Sequence, residues 1–123
     1  MFVNLTNHPS GQWSEAQRNA ALRYASEIID LPFPDVPSDA SREAVIALSE
    51  QYIQKIKKMG PTVVLCQGEM TLTYLIVKRL IEFGIPAIAA CSERQTVETV
   101  DADGNTHRIS KFVFRQFRPY GDG

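Results

Sequence analysis

Cysteine and histidine are scarce in this chain, with two of each among 123 residues. No His/Cys grouping has the spacing of a metal site, so we expect the protein to bind no metal. No apolar run reaches the roughly 18 residues that cross a bilayer, and the first residues lack the basic and apolar regions of a signal peptide. We therefore expect a cytoplasmic protein without a membrane partner, in which Cys66 and Cys91 are reduced thiols; a disulfide stays open if their strands adjoin.

Basic residues are not in excess either, and the formal net charge is −1. Electrostatic binding along long DNA or RNA needs a stripe of basic residues on the surface, so we do not expect long nucleic acid to be a partner. A few placed groups can still hold a small anionic ligand. Hydrophobic content of 44% and charged content of 22% are ordinary for a globular protein, and the length fits one domain over residues 1–123.

Short apolar runs alternate with amphipathic segments up to Ala90. Ser14 and Ser41 stand where helix N-caps are expected, and Gly60 stands where the second helix ends. On the first helix, Arg18 is expected to face solvent. The order β-α-β-α-β-α-β requires right-handed crossovers and a mainly parallel sheet, so the sequence predicts an α/β fold. The predicted strands are Phe2–Thr6, Glu27–Leu31, Thr62–Cys66 and Ile85–Ala90.

The C-terminal part of the chain has a different pattern. Gln95–Val100 and Thr106–Arg118 flank the turn-forming sequence Asp-Ala-Asp-Gly-Asn, which predicts a β-hairpin. The second arm carries apolar residues on both faces, including Ile109 and Phe112. An arm of this kind at the end of a small domain is expected to pack on something besides its own sheet, and a homodimer interface is the natural candidate.

Polar residues follow three of the predicted strands, and in a parallel α/β sheet such positions form the ligand site. After the first strand, Asn7 and Ser10 can donate to a phosphate, and the imidazole of His8 can exchange protons near neutral pH. Gly11 leaves room for a ligand, and Trp13 offers a stacking face for a base. The alternative is a polar loop with Trp13 as a hydrophobic lid beneath the helix.

The second predicted strand exit is Gln67-Gly68-Glu69-Met70-Thr71, at the start of a helix. Open N–H groups at a helix start favour anions, but the carboxylate of Glu69 would repel phosphate and suits ribose hydroxyls or an adenine amine better. Alternatively, Glu69 and Thr71 only cap the helix. The glycine spacing matches neither a Walker loop nor a dinucleotide-binding fingerprint.

The third predicted exit supplies Ser92 and Arg94, directly after Cys91. The planar guanidinium of Arg94 can bind two phosphate oxygens at once, which makes it the best phosphate clamp in the chain. The alternative is an internal ion pair between Arg94 and its neighbour Glu93.

Three features of the chain resemble small CRISPR-associated Rossmann-like proteins related to CARF domains. They are the first strand ending in Thr-Asn-His-Pro-Ser with Trp13 after it, the Gly turn at Gly68, and the terminal hairpin. Some of these proteins are stand-alone ring nucleases. The resemblance implies a Rossmann-like three-layer domain that forms a homodimer and binds a cyclic oligoadenylate. It also implies cleavage by the ligand's own ribose 2′-OH, with no metal or cofactor.

Under that resemblance, Asn7, His8 and Ser10 would orient ribose or phosphate, and Arg94 would clamp phosphate. Glu69 would take a ribose hydroxyl and Trp13 would stack on adenine. We therefore expect His8, Arg94 and Glu69 to be catalytic. The expected ligand-binding residues are Asn7, Ser10, Gly11, Trp13, Gln67, Gly68, Thr71 and Ser92.

Three other functions stay open from the sequence. A protein of the same fold could sense or sequester the cyclic nucleotide without turnover. A nucleoside- or nucleotide-processing hydrolase could use Glu69 as its base or nucleophile. A purely structural, partner-binding protein would need none of these polar groups.

Overall fold

The computed structural model describes residues 1–121, which form an α/β structure. Within these residues the strands are β1 (Phe2–Leu5), β2 (Ile28–Asp30), β3 (Val63–Cys66), β4 (Ala87–Val100) and β5 (Thr106–Pro119). The helices are α1 (Glu15–Leu22), α2 (Arg42–Met59) and α3 (Met70–Glu82), with one 3₁₀ turn at Ser10–Gln12. None of these helices combines the length and apolar character needed to cross a membrane.

The five strands form one sheet in the order β2-β1-β3-β4-β5. The first four strands run parallel, and β5 runs antiparallel to β4. The predicted α/β class, the mainly parallel sheet and the C-terminal hairpin are therefore confirmed. From β1 the chain moves outward to β2, then crosses back to β3 and β4 on the other side, so the strand order reverses between β1 and β3.

The helix boundaries follow the local sequence signals. The hydroxyl of Ser14 accepts from the Gln17 amide at 3.2 Å, and Ser41 accepts from the Ala44 amide at 3.1 Å, so both predicted N-caps are confirmed. The second helix ends at Gly60, whose φ of 63° is the left-handed conformation that a glycine adopts without strain.

Apolar side chains are buried on both faces of the sheet. On one face, alternate residues of β1 and β3, such as Leu5 and Val64, pack against α2 and α3. On the other face, Phe2 and Leu65 pack with Ala21 of α1 and with β5. Because β1 and β3 are covered on both sides, their residues are uniformly apolar except for Asn4, which is 1% exposed.

The long β4–β5 hairpin differs from the sequence prediction. β4 does not end near Ala90; it continues to Val100 and pairs with β5 throughout, with a bulge between Cys91 and Ser92. At ~3.3 Å per residue, the part of β4 after Ala90 extends about 30 Å beyond the parallel sheet. Phe112, on this extension, is 76% exposed. The third predicted strand exit is therefore wrong: Ser92 and Arg94 lie within a strand.

Candidate functional site

A buried polar pair fixes the end of β1. The hydroxyl of Thr6 lies 2.8 Å from the Asn4 Oδ1 and accepts from the His8 amide at 3.1 Å. The Nδ2 of Asn4 donates to the His8 carbonyl at 2.9 Å and to the Asp30 Oδ1 at 2.9 Å. Buried polar groups are stable when they are hydrogen-bonded, so Asn4 serves to hold the loop that follows β1 against the end of β2.

His8 lies on this fixed loop with its ring in solvent. Its carbonyl accepts from Asn4 and, at 3.1 Å, from the indole Nε1 of Trp13. Within residues 1–121 the imidazole itself has no hydrogen-bond partner, and the residue is exposed. Pro9 follows with φ −56° and ψ 141°, so the chain continues in an extended direction. The result is an exposed imidazole without a hydrogen-bond partner on a backbone that is held in place.

Asp30 is the site residue that the sequence interpretation missed. Its carboxylate accepts from the Ser10 amide at 3.2 Å and from the Ser10 hydroxyl at 3.1 Å. The Ser10 carbonyl in turn accepts from the guanidinium of Arg18, which was expected to face solvent and instead points back to the loop. The amide, the hydroxyl and the carbonyl of Ser10 are thus all hydrogen-bonded, the first two to Asp30 and the third to Arg18. A carboxylate at the end of the second predicted strand was the available signal, since β2 ends at the same edge as β1.

Trp13 occupies the lid position that was the alternative to base stacking. The centroid of its ring lies 6.0 Å from that of Phe2, in an edge-on arrangement, and 6.4 Å from that of Phe117. It joins the apolar cluster on the α1 face of the sheet while its indole N–H holds the His8 carbonyl. Asn7 and Gly11 are exposed on the loop around it.

At the second exit, the side chain of Gln67 extends the sheet. Its Nε2 donates to the Ala90 carbonyl at 3.2 Å, and its Oε1 accepts from the Ala90 amide at 2.8 Å. Both ends of this amide are therefore engaged with β4. The next residue, Gly68, lies against the ring of Phe33, which leaves no room for a side chain there. A close protein contact thus accounts for this glycine.

Glu69 caps α3. Its carboxylate accepts from the Leu72 amide at 2.8 Å and from the Thr71 amide at 3.0 Å, and the Thr71 hydroxyl lies within 2.8 Å of both of its oxygens. The hydrogen bonds from the Leu72 amide, and then from Thr71, lower the pKa of Glu69 below its ordinary value. The carboxylate is ionised at neutral pH and already has three donors.

The third group of predicted residues lies apart from the first two. Arg94 is four positions beyond Ala90, which corresponds to ~13 Å along the strand, and its Nη2 approaches the Ser110 hydroxyl at 3.4 Å. Glu93 pairs with Arg115 at 3.7 Å, so the proposed pair between Glu93 and Arg94 is wrong. Within one chain, the structure brings together the exits of β1 and β3, and it places Ser92 and Arg94 on the hairpin.

The two cysteines lie near this edge as free thiols, and they form no disulfide in the structure. Burial raises the pKa of the Cys66 thiol to about 12. The hydroxyl of Tyr120 donates to the Cys66 carbonyl at 2.7 Å. Burial, together with the nearby Cys66 and Cys91, raises the pKa of Tyr120 to about 12, so this phenol is a protonated donor that ties the end of β5 to β3.

Within residues 1–121, no group of three or more His, Cys, Asp or Glu side chains is arranged to hold a metal ion. At the β1/β3 edge, the His8 ring and the Asn7 side chain are exposed, whereas the carboxylate of Glu69 is engaged in capping α3.

These features define an α/β protein with an open, mainly parallel sheet and with polar residues at the edge where its strand order reverses. The chain belongs to the MJ1673 family: the family model described as "Uncharacterized protein MJ1673 family" matches residues 1–118. Comparison with curated proteins found no match. Comparison with solved structures found no match either.

Proposed function

We propose that this protein is a Rossmann-like, CARF-related domain that binds a cyclic oligoadenylate at the edge between β1 and β3 and cleaves it. The order β2-β1-β3-β4 is that of flavodoxin-like doubly wound sheets, which share with the Rossmann fold a ligand site at the point where the strand order reverses. The apolar clusters on both faces of the sheet support its three-layer form.

The free imidazole of His8 carries the proposal. In the proposed reaction, a ribose 2′-oxygen of the ligand attacks the adjacent phosphorus, and the bond to the 5′-oxygen breaks. The 2′-OH loses its proton and the 5′-oxygen gains one, which leaves a 2′,3′-cyclic phosphate and a 5′-hydroxyl. His8 can carry either proton, and the ligand supplies its own nucleophile. Such proton transfer contributes about 10²–10⁴-fold in rate.

A homodimer is part of the proposal. A two-stranded hairpin is marginally stable alone in water, yet the extension of β4 and β5 exposes Val97, Ile109 and Phe112. A second copy that covers these residues would remove them from water. Arg94 lies on the same extension, so it would clamp phosphate from the hairpin rather than from the edge of its own parallel sheet.

The test is incubation with cyclic adenylates of three to six units in EDTA, followed by chromatography of the products. We expect linear products that end in a 2′,3′-cyclic phosphate, and a loss of about 10²-fold or more in His8→Ala. His107→Ala is the matched control, because His107 is bound to Asp101 at the hairpin tip. Intact rings of every size would refute the enzyme; equal rates in the two variants would refute the role of His8.

The second candidate function is a non-catalytic sensor or sponge for the same ligand. It is favoured by the placement of two expected catalytic groups: Glu69 is engaged in capping α3, and Arg94 lies on the hairpin. Calorimetry that shows tight binding of a ring which stays intact would select this function. The same capping contacts give no support to a nucleotide hydrolase with Glu69 as base, for which Glu69→Gln should abolish activity.

A further inference from the structure

A groove of about 540 Å³ lies between the first turns of α2 and α3, beside the exit of β3. Sites for small molecules occupy about 300–1,000 Å³ and are mainly apolar with a few placed polar groups. This groove has that character: Val45 and Leu75 line it together with Met70 and Tyr74. It lies on the face of the sheet opposite α1, and the sequence interpretation did not identify it.

Two large side chains at the groove are exposed to an unusual degree. Met70 is 84% exposed and Tyr74 is 64% exposed. They are four residues apart on α3 and therefore lie on the same side of the helix. A tyrosine ring offers a stacking surface for a planar base, and a methionine sulfur makes favourable contacts with aromatic rings. The pair is thus suited to hold a flat aromatic group against the groove.

Thr71 gives the groove a preference between bases. Its hydroxyl lies 2.7 and 2.8 Å from the two carboxylate oxygens of Glu69, and it must donate its only proton there. Toward the groove the hydroxyl oxygen can therefore only accept. An exocyclic amine, as in adenine, is a suitable donor, whereas the carbonyl at the same position of hypoxanthine or guanine would face a second acceptor.

Charge at the groove fits a nucleotide. Arg42 lines it and forms no ion pair within residues 1–121, and none of its lining residues is acidic. The neighbouring carboxylate of Glu69 is already satisfied by its three donors. A guanidinium at the rim is complementary to a phosphate attached to the bound base.

We propose that this groove is a subsite for the adenine base of an adenine nucleotide, with Tyr74 and Met70 against the ring and Thr71 accepting from the exocyclic amine. The inference rests on the proposed function, since it names the base subsite of the same ligand. It can be tested with a mononucleotide, independently of any cleavage.

Methyl NMR of methionine-labelled protein provides the test. The chain has three methionines; Met70→Leu identifies the Met70 signal, and the partly buried Met59 is the internal control. We expect AMP to shift the Met70 methyl saturably and to leave Met59 unchanged. AMP should bind about fivefold more tightly than IMP, the size of one hydrogen bond.

Variants separate the two contacts. Thr71→Val should bring the AMP to IMP affinity ratio close to one. Tyr74→Ala should weaken AMP binding at least about fivefold, while Tyr74→Phe, which keeps the ring, should bind normally. Equal affinity for AMP and IMP in the native protein would overturn the assignment to Thr71. A Met70 methyl that AMP does not move at 10 mM would overturn the groove as a site.

The subsite and the proposed function fail in different ways. If calorimetry shows that cyclic tetra-adenylate binds while the Met70 methyl stays in place, the groove is overturned and the proposed function stands. If AMP occupies the groove and no ring of any size binds, the groove stands and the proposed function falls. If Tyr74→Ala changes the oligomeric state and the Met70 methyl of the native protein does not respond to AMP, this surface is a protein interface and the subsite is overturned.

Discussion

Replacing Gly68 with alanine tests why the second exit starts with a glycine. Gly68 is not among the glycines with positive φ, so backbone conformation does not require it. An added methyl group would instead lie 2.5 Å from Cγ and Cε1 of Phe33, a ring that is itself buried. Overpacking of this kind costs about 1–3 kcal/mol. At about 4 °C per kcal/mol for a chain of this size, the midpoint of thermal unfolding should fall by about 4–12 °C.

The assay is thermal and urea unfolding followed by circular dichroism, with two comparisons. Gly11→Ala is the matched control, because nothing lies within 4 Å of its added methyl, and it should change stability by less than about 0.5 kcal/mol. Phe33→Ala removes the opposing ring, so Gly68→Ala made in that background should cost about 1–3 kcal/mol less than in the native chain. An unchanged midpoint in Gly68→Ala, or the same cost in both backgrounds, would refute the steric explanation.

Three further predictions concern the groups around the site. Glu69→Gln should lower the free energy of unfolding at pH 7, and the loss relative to the native protein should be smaller in urea denaturation at pH 3. Hydrogen bonds lower the folded-state pKa of Glu69, so the stabilisation by its carboxylate is lost as the pH falls through that value. A loss of stability that does not depend on pH would contradict this. Asp30→Ala should accelerate amide hydrogen exchange at Ser10, and unchanged exchange by NMR would show that the carboxylate does not hold the loop. Native protein at pH 8 should react quickly with a disulfide reagent at Cys91 alone, because burial raises the pKa of Cys66 to about 12; a fast phase that survives in Cys91→Ser would be the opposing result.

Local signals predicted most of the parallel part of the fold. Ser14 and Ser41 cap the helices as expected, and β1 and β3 are fully buried runs. The extent of β4 could not be predicted in the same way. Its apolar run stops at Ala90, and a run that stops indicates the end of burial, not the end of strand pairing. Beyond Ala90 the strand needs only β5 as a partner, so polar residues such as Thr96 fit it as well as apolar ones.

Part of the candidate site could also be predicted. The rule that parallel strands end at one edge located His8 and Glu69 correctly at the exits of β1 and β3. The same rule applied to β2 indicates Asp30, but its partner Ser10 is twenty positions earlier, and no periodicity reports such a pairing. Whether a carboxylate caps a helix or faces a ligand is likewise decided by geometry. Both uses of Glu69 were compatible with the sequence.

The paired amide of Gln67 has a mechanical consequence. Because its two ends bond to the N–H and the C=O of Ala90, the side chain links β3 to β4 by two further hydrogen bonds at the base of the hairpin. The hairpin extends about 30 Å beyond the parallel sheet, and these two bonds connect its base to the loop that starts α3. A movement of the hairpin that displaces Ala90 must therefore either break these two bonds or move the backbone next to Gly68.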